Sequence, residues 1–394
     1  MRSAGMICEC NPLHEGHLRL LRKARADGDA AVICVMSGCF TQRGEAAILE
    51  PRARADALLA SGADAVLELP FPYSSAGAEF FARAGVSILS RLGVEELWFG
   101  SESGDLALLW AMAEEVSSPA FQEAYAAGAR GADGTAKHFF ALLAERMGRE
   151  VETLPNDILA VSYLRAIRQL DASLAPHVLL REGSAFHETA LEEGVVPSAS
   201  ALRKGLLTDG PSAIDAHLPR ESARVLREML EAGRAPATLC HAEAFLLGSL
   251  RRADKDSLSA IAELSGGLGA RLVQKAAEAC TLRELLSACA TKKYTNARIL
   301  RGILFAMTGV LREDLCREPA YVRLLGATEK GRAFLGQARR TGEIPLVTRQ
   351  GDLPRTPEAL RQAALEREAL SLYALCLPTP TSPAFFLRQR PILR

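Results

Sequence analysis

The chain has 394 residues and a mass of 42.3 kDa, more than one compact core usually holds, so at least two domains are expected. Hydrophobic residues make up 48% and charged residues 24%, with a mean hydropathy of +0.06, which excludes a disordered or fibrous chain. The 47 basic residues balance 47 acidic ones, so no net field draws the protein to nucleic acid or an anionic membrane, and any polyanion site must come from local clustering.

Residues 4–10 form a short apolar run broken by Asn11-Pro12, after which Leu18, Leu21 and Ala24 take helical spacing. Apolar runs follow at 31–36, ending at Ser37-Gly38, at 64–69, stopped by Pro70, and at 94–99, ending at Gly100-Ser101; helical segments over 51–61 and 78–92 separate them. This alternation predicts right-handed crossovers and a parallel sheet covered on both faces, with ligands bound beyond the carboxyl ends of its strands. Pro155-Asn156-Asp157 is expected to cap a helix whose apolar face is Ile158, Val161, Leu164 and Ile167, and residues 177–180 are a candidate fifth strand.

Pro197-Ser198-Ala199-Ser200 opens another helix, and beyond about residue 206 strand-like runs nearly vanish. Residues 220–232, 240–252, 269–288 and 297–311 carry helical periodicity, while the Pro/Thr/Ser-rich stretch 378–383 before a basic tail reads as a solvated terminal segment. The expected architecture is α/β: a Rossmann-like domain over 1–205 and a mostly α-helical domain over 206–394. Nine scattered cysteines without a C-x-x-C pair fit neither a disulfide framework nor a zinc site. With no signal-like or membrane-spanning stretch, a soluble cytoplasmic protein is expected.

The chemistry concentrates at Asn11-Pro12-Leu13-His14-Glu15-Gly16-His17, between the first strand and the first helix. A helix start offers free N–H groups and the positive end of a dipole to phosphate. His14 and His17 share one face of its first turn, Gly16 removes a Cβ from the path of a nucleotide, and imidazole donors stabilise charge that grows as an α-phosphorus is attacked. The zinc reading of H-x-x-H lacks the i, i+4 histidines and intervening Glu of the zincin helix, and an incidental pair remains the bland alternative. Ser198, Ser200 and Arg203 form S-x-S-x-x-R at a second helix start, able to grip β- and γ-phosphates, against the bland reading of a capping serine and a solvated arginine. Lys292, Lys293, Tyr294, Arg298 and Arg301 combine cations and a stacking ring, as RNA binding requires, or else form a solvated helix face. Glu9 either orients the loop or receives a ligand hydroxyl. Gln42-Arg43-Gly44, in the loop after the second strand, faces either a small co-substrate or an incoming acceptor. The remaining histidines, His138, His177, His187, His217 and His241, read as fillers.

The ordered set Gly5, Glu9, Asn11-Pro12-Leu13-His14, Gly16-His17, Met36-Ser37-Gly38, Gln42-Arg43-Gly44-Glu45, Leu67-Glu68-Leu69-Pro70, Phe99-Gly100-Ser101-Glu102, Pro155-Asn156-Asp157, Arg181-Glu182 and Ser198-Ala199-Ser200 resembles the bacterial tRNA(Met) cytidine acetate ligase family. The resemblance continues through Thr291-Lys292-Lys293-Tyr294 and Tyr321 to Gly326. It implies a nucleotidylyltransferase fold and an enzyme that adenylates acetate with ATP, then passes acetyl to N4 of the wobble cytidine of elongator tRNA(Met). A carboxylate has a poor leaving group and the cytosine amine is a weak nucleophile, so an acyl-adenylate intermediate is chemically reasonable. The resemblance further implies ATP contacts from Ile7, Glu9, Asn11, Pro12, Gly16, Leu20, Gly100, Ser101, Asn156 and Arg181. His14 and His17 would be catalytic, with Ser198, Ser200 and Arg203 on the pyrophosphate and Lys292, Lys293, Tyr294, Arg298 and Arg301 on the tRNA. Mg²⁺ is expected with the triphosphate, although no dedicated metal cage is visible. Leu13 and Cys39 depart from the family pattern and are expected on the active-site wall. Two rivals remain: a nucleotidylyltransferase acting on a small phosphorylated metabolite, and a non-catalytic RNA-binding protein that senses ATP.

Overall fold

The computed structural model describes residues 2–26, 30–128, 135–151, 154–181 and 197–394; Glu182 and His187 lie outside them. Five parallel strands, β1 (Ser3–Cys8), β2 (Ala31–Ser37), β3 (Ala65–Leu69), β4 (Glu96–Ser101) and β5 (Ala175–Leu180), match the five apolar runs of the sequence. Three more come from the second half: β6 (Val322–Ala327), β7 (Leu346–Val347) and β8 (Ile392–Leu393). The order is β5-β4-β1-β2-β3-β6-β7, with β8 also paired to β6. Strand β6 runs antiparallel to β3, with a register shift between Val66 and Leu67, whereas β7 and β8 run parallel to β6. The chain steps outward from β1 through β2 to β3, then returns to place β4 on the other side of β1. The topological switch therefore falls between β1 and β4, where a crevice opens at their carboxyl ends.

Helices α1 (Glu15–Ala26), α2 (Pro51–Ala60), α3 (Ala78–Arg91), α4 (Leu106–Ser117), α5 (Pro119–Gly128), α6 (Thr135–Met147), α7 (Pro155–Gln169) and α8 (Ala199–Thr208) belong to the first half. The second half adds α9 (Arg220–Glu231), α10 (Glu243–Arg252), α11 (Leu268–Ala276), α12 (Leu282–Cys289), α13 (Asn296–Thr308), α14 (Arg312–Cys316), α15 (Glu329–Thr341), α16 (Pro357–Leu375) and α17 (Pro383–Arg388). One face of the sheet is packed by α3, α4 and α7 through Phe81, Ile88, Leu109 and Leu164. On the other, Leu21 and Leu58 of α1 and α2 pack together with Val225 and Leu226 of α9. A third core joins α10–α13 and α16, and it also takes in Phe40 and Phe71 from the loops after β2 and β3. The two halves thus share apolar cores.

Three sequence expectations need correction. The expected helix over 269–288 is two, because Thr281 caps α12 by accepting the N–H of Glu284. The terminal segment is not a solvated tail: α17 buries Phe386 in the helical core, and β8 returns to the sheet. The second half is mostly helical but contributes three strands, the longest of which, β6, is a six-residue VRLLGA segment.

Candidate active site

A cleft at the carboxyl ends of β1 and β4, enclosing about 1120 Å³ with its open mouth, is lined by Ile7, Glu9, Asn11, His14, His17, Leu20, Gly100, Asn156, Arg181, Ser198, Ser200 and Arg203. Gln42, Arg43, Cys8, Cys10, Phe81, Phe99 and Tyr163 complete much of the wall. Residues from the first turns or caps of α1, α7 and α8 meet here, so three helix N-termini bring positive dipole ends to one space. Arg43, Arg181 and Arg203 add formal charge, and Glu9 is the one acidic side chain lining the cleft among the described residues. The neutral chain thereby concentrates cationic character where a polyphosphate would sit.

The Gly16 N–H donates to His14 Nδ1 at 3.1 Å, and the His14 N–H donates to His17 Nδ1 at 3.3 Å. The rings are 3.9 Å apart between centroids. With both Nδ1 atoms accepting, the neutral rings must carry their protons on Nε2. Burial, then the other imidazole and the cations Arg181 and Arg203, hold His14 well below its usual range; burial pushes His17 down to about 4 against an upward pull from Cys8, with Arg181 adding a lesser downward push. At neutral pH the pair is a set of uncharged Nε2–H donors. A Cβ on Gly16 would come 2.9 Å from His14 Cε1, so this glycine is required to let the histidine ring fold over its own helix start.

Ser198 caps α8, its hydroxyl accepting the Ala201 N–H at 3.1 Å. Arg203 is not solvated: its side chain is 14% exposed, it donates to the Asn11 carbonyl at 2.9 Å, and it pairs with Glu45 at 3.1 Å. Gly100 sits against Arg181, a Cβ there lying 3.2 Å from Arg181 Cγ.

Three expected contacts do not line the cleft. Ser101 is fully buried and donates to Asp157. Pro12 is buried, and Gly16 packs on His14. Nor do Leu13 and Cys39 form its wall: Leu13 belongs to the core under α1, and Cys39 borders a separate cavity with Phe40, Glu68 and Arg323.

The residues expected at RNA gather at the start of α13. Lys292 and Lys293 are exposed, but Tyr294 is 8% exposed and its hydroxyl donates to the Gly266 carbonyl, so the ring is not an open stacking platform. The guanidinium of Arg298 lies 5.3 Å from that ring's centroid. Both Arg298 and Arg301 pair with Glu263, at 3.6 and 3.0 Å. Arg301 also reaches the Gln42 carbonyl at 3.5 Å, which joins this segment to the cleft.

Sequence reasoning missed three supports. Arg54, 1% exposed on α2, donates to the Leu49 carbonyl at 3.0 Å, the Glu9 carbonyl at 2.6 Å and the Gly38 carbonyl, tying three site loops together; its place on one helix face with Ala57 and Leu58 was the available signal. Glu102 accepts the Asn156 and Asp157 N–H groups at 3.3 and 3.0 Å, so α7 is capped from β4 and not by its own Asn156 or Asp157. Tyr163 lines the cleft, and its spacing of seven from Asn156, with Leu159 between, put it on the same helix face.

A cationic cleft at the switch point of a parallel sheet is the architecture of a nucleotide-binding α/β protein, and the class is nucleotidylyltransferase, since the family described as HIGH Nucleotidyl Transferase matches residues 1–384. The chain is 36% identical to the tRNA(Met) cytidine acetate ligase of Syntrophotalea carbinolica, over 96% of this chain and 95% of that protein. It is 30% identical to that of Bacillus subtilis, over 99% and 96%. Among solved structures, apo Thermotoga maritima TmcAL superposes with a TM-score of 0.93 at 29% identity, covering 100% of this chain and 99% of that one. The same protein bound with alpha-thio ATP superposes with a TM-score of 0.91, covering all of both chains. The chain belongs to the tRNA(Met) cytidine acetate ligase family of enzymes.

Proposed function

We propose that this cleft carries out both halves of the reaction for which its relatives are named. An acetate oxygen attacks the α-phosphorus of ATP, pyrophosphate leaves, and the resulting acetyl-AMP gives its acetyl group to N4 of the wobble cytidine in elongator tRNA(Met), forming N4-acetylcytidine and AMP. The observation that carries the first half is the orientation of the two imidazoles. Backbone N–H groups occupy both Nδ1 atoms, so each Nε2–H is left to donate to oxygens whose negative charge grows at the α- and β-phosphates. Arg181 and the α8 start, with Ser198 and Ser200, hold the departing pyrophosphate, and Arg203 fixes the Asn11 loop while facing the same space. Ile7, Leu20, Gly100 and Asn156 form the remaining nucleotide wall. No protein nucleophile is needed; positioning and preorganised donors suffice.

The RNA approaches along α13, where Lys292 and Lys293 are exposed and Arg301 touches the Gln42 loop. Such a local basic edge on a neutral protein makes binding strongly salt-dependent. Among the described residues no three His, Cys, Asp or Glu side chains are grouped to hold a metal ion. None of these steps runs through the expected Mg²⁺. Nor, among those residues, is any helix long and apolar enough to cross a membrane.

Mass spectrometry of tRNA nucleosides after incubation with ATP and acetate tests the whole reading. N4-acetylcytidine appearing only with both substrates supports it. Pyrophosphate release with a phosphorylated metabolite but not acetate, or none with any substrate, overturns it in favour of one of the two rivals.

A further inference from the structure

A carboxylate is a poor neighbour for a triphosphate, yet Glu9 stands alone as an acid among the described residues lining this cationic cleft. Its Oε1 accepts the Gln42 N–H at 2.7 Å. That bond aims the carboxyl from the end of β1 toward the loop after β2, and among the described residues the side chain makes no second hydrogen bond. Arg203, Arg43 and Glu45 are the charges facing it, while Tyr163, Cys8, Cys10, His14, His17 and Arg181 are the other titratable or charged groups lining the space. Burial pushes the Glu9 carboxyl above its ordinary range, which suits a proton acceptor near neutral pH. Beside it the Gln42 side-chain nitrogen is buried without a partner, a state that costs free energy until an acceptor arrives. The loop carrying Gln42 is also the point where the cleft meets α13: Arg301 reaches the Gln42 carbonyl, and Gly44 lies against the backbone of Leu300 and Arg301.

We propose that Glu9 is the general base of the acetyl-transfer step, accepting a proton from N4 of the target cytosine while the Gln42 side-chain amide donates to N3. This rests on the reading that the cleft acetylates cytidine. Cytosine presents an N4–H donor next to an N3 acceptor, and Glu9 with Gln42 presents the matching acceptor and donor. Uracil has the opposite order, a carbonyl oxygen beside an N–H, so its O4 would face a carboxylate and be rejected. In the step itself the N4 lone pair attacks the acetyl carbonyl carbon of acetyl-AMP and the C–N bond forms. The bond from that carbon to the AMP phosphate oxygen breaks, AMP leaves with the electron pair, and the N4 proton passes to Glu9 and on to solvent. Nothing is oxidised or reduced.

The discriminating variant is Glu9→Gln, because the glutamine carbonyl still accepts the Gln42 N–H and keeps the loop in place while the base is lost. Single-turnover transfer from synthetic acetyl-AMP to tRNA(Met) is measured beside acetate-dependent ATP–pyrophosphate exchange. Transfer is expected to fall about 10²–10⁴-fold, with its acid limb lost from the pH profile, and to fall at least about tenfold further than exchange does. Retained transfer, or equal loss of transfer and exchange, overturns the proposal; the second result would mark a contact with the nucleotide. If Glu9→Gln does not fold, Glu9→Asp, which keeps the charge one methylene back, is expected to show the same split in smaller measure, and equal losses again overturn it. Failure of the wild-type enzyme to acetylate the tRNA would instead sink the underlying reading.

Discussion

At the scale of single residues, the site depends on groups whose polar atoms are already committed. In the proposed function His14 and His17 work as neutral donors, so replacing either with alanine should lower acetate-dependent ATP–pyrophosphate exchange about 10²–10³-fold and leave tRNA binding in a filter assay nearly unchanged. The same burial has a cost in acid. A histidine held at about 4 in the fold and near 6.5 when unfolded is neutral in both states above the higher value, so it contributes no pH dependence there. Below it the unfolded chain takes up the proton first, and stability falls from about pH 6.5 down to about 4, by at most about 3 kcal/mol for His17. Thermal unfolding at pH 7 and pH 5 should therefore show a smaller acid loss in His17→Asn than in the wild type. Arg54 makes a different point: Arg54→Met would leave the Glu9, Gly38 and Leu49 carbonyls without their buried donor. A loss of about 3–5 kcal/mol is expected by denaturant titration. The histidines were legible because their spacing and the neighbouring Pro12 and Gly16 are local signals. The burial of Arg54 was legible from its helix face with Ala57 and Leu58, but its role was not, since nothing adjacent to it in sequence says that three carbonyls will converge on it.

Between elements, the junction of the β2 loop with α13 decides how the cleft meets the helical half. Gly44 has φ +78°, and a Cβ there would lie 2.6 Å from the Arg301 backbone nitrogen. Gly44→Ala should then cost about 2 kcal/mol or more and depress acetyl transfer more than exchange, as a stability assay paired with both activities would show. The start of α8 followed the sequence rule because its cap, Ser198, is local. The rule failed at α7, where Glu102 arrives from another strand to take the free N–H groups. Ser101 was misplaced for a related reason. Its position at a strand end suggested a ligand contact, but Asp157 claims its hydroxyl from 56 residues away.

Across the whole molecule, the second half is joined to the sheet as well as packed beside it. Strand β6 pairs with β3, and the last residues return through Phe386, the Gln389–Glu50 hydrogen bond at 2.9 Å and the Arg394–Asp56 ion pair at 2.7 Å. Removing residues 378–394 should lower the unfolding temperature of the entire chain in calorimetry, because loss of the Phe386 side chain alone is worth about 3–5 kcal/mol. Two well-separated transitions, with the nucleotide-binding half unchanged, would contradict that expectation.

What this sequence determined unaided was whatever rests on neighbours along the chain: five parallel strands, four of them largely buried, from short apolar runs, most helices from their 3.6-residue period, and the pairing of two histidines at one strand-to-helix turn. The tertiary structure alone decided the antiparallel sixth strand, the returning terminus, the inward Tyr294, the cap from Glu102 and the triple duty of Arg54. Each of these depends on a partner tens to hundreds of residues away. A six-residue strand or a buried arginine carries no local mark of that partner, since the pairing becomes favourable only once the surrounding core has excluded water and brought both sides together.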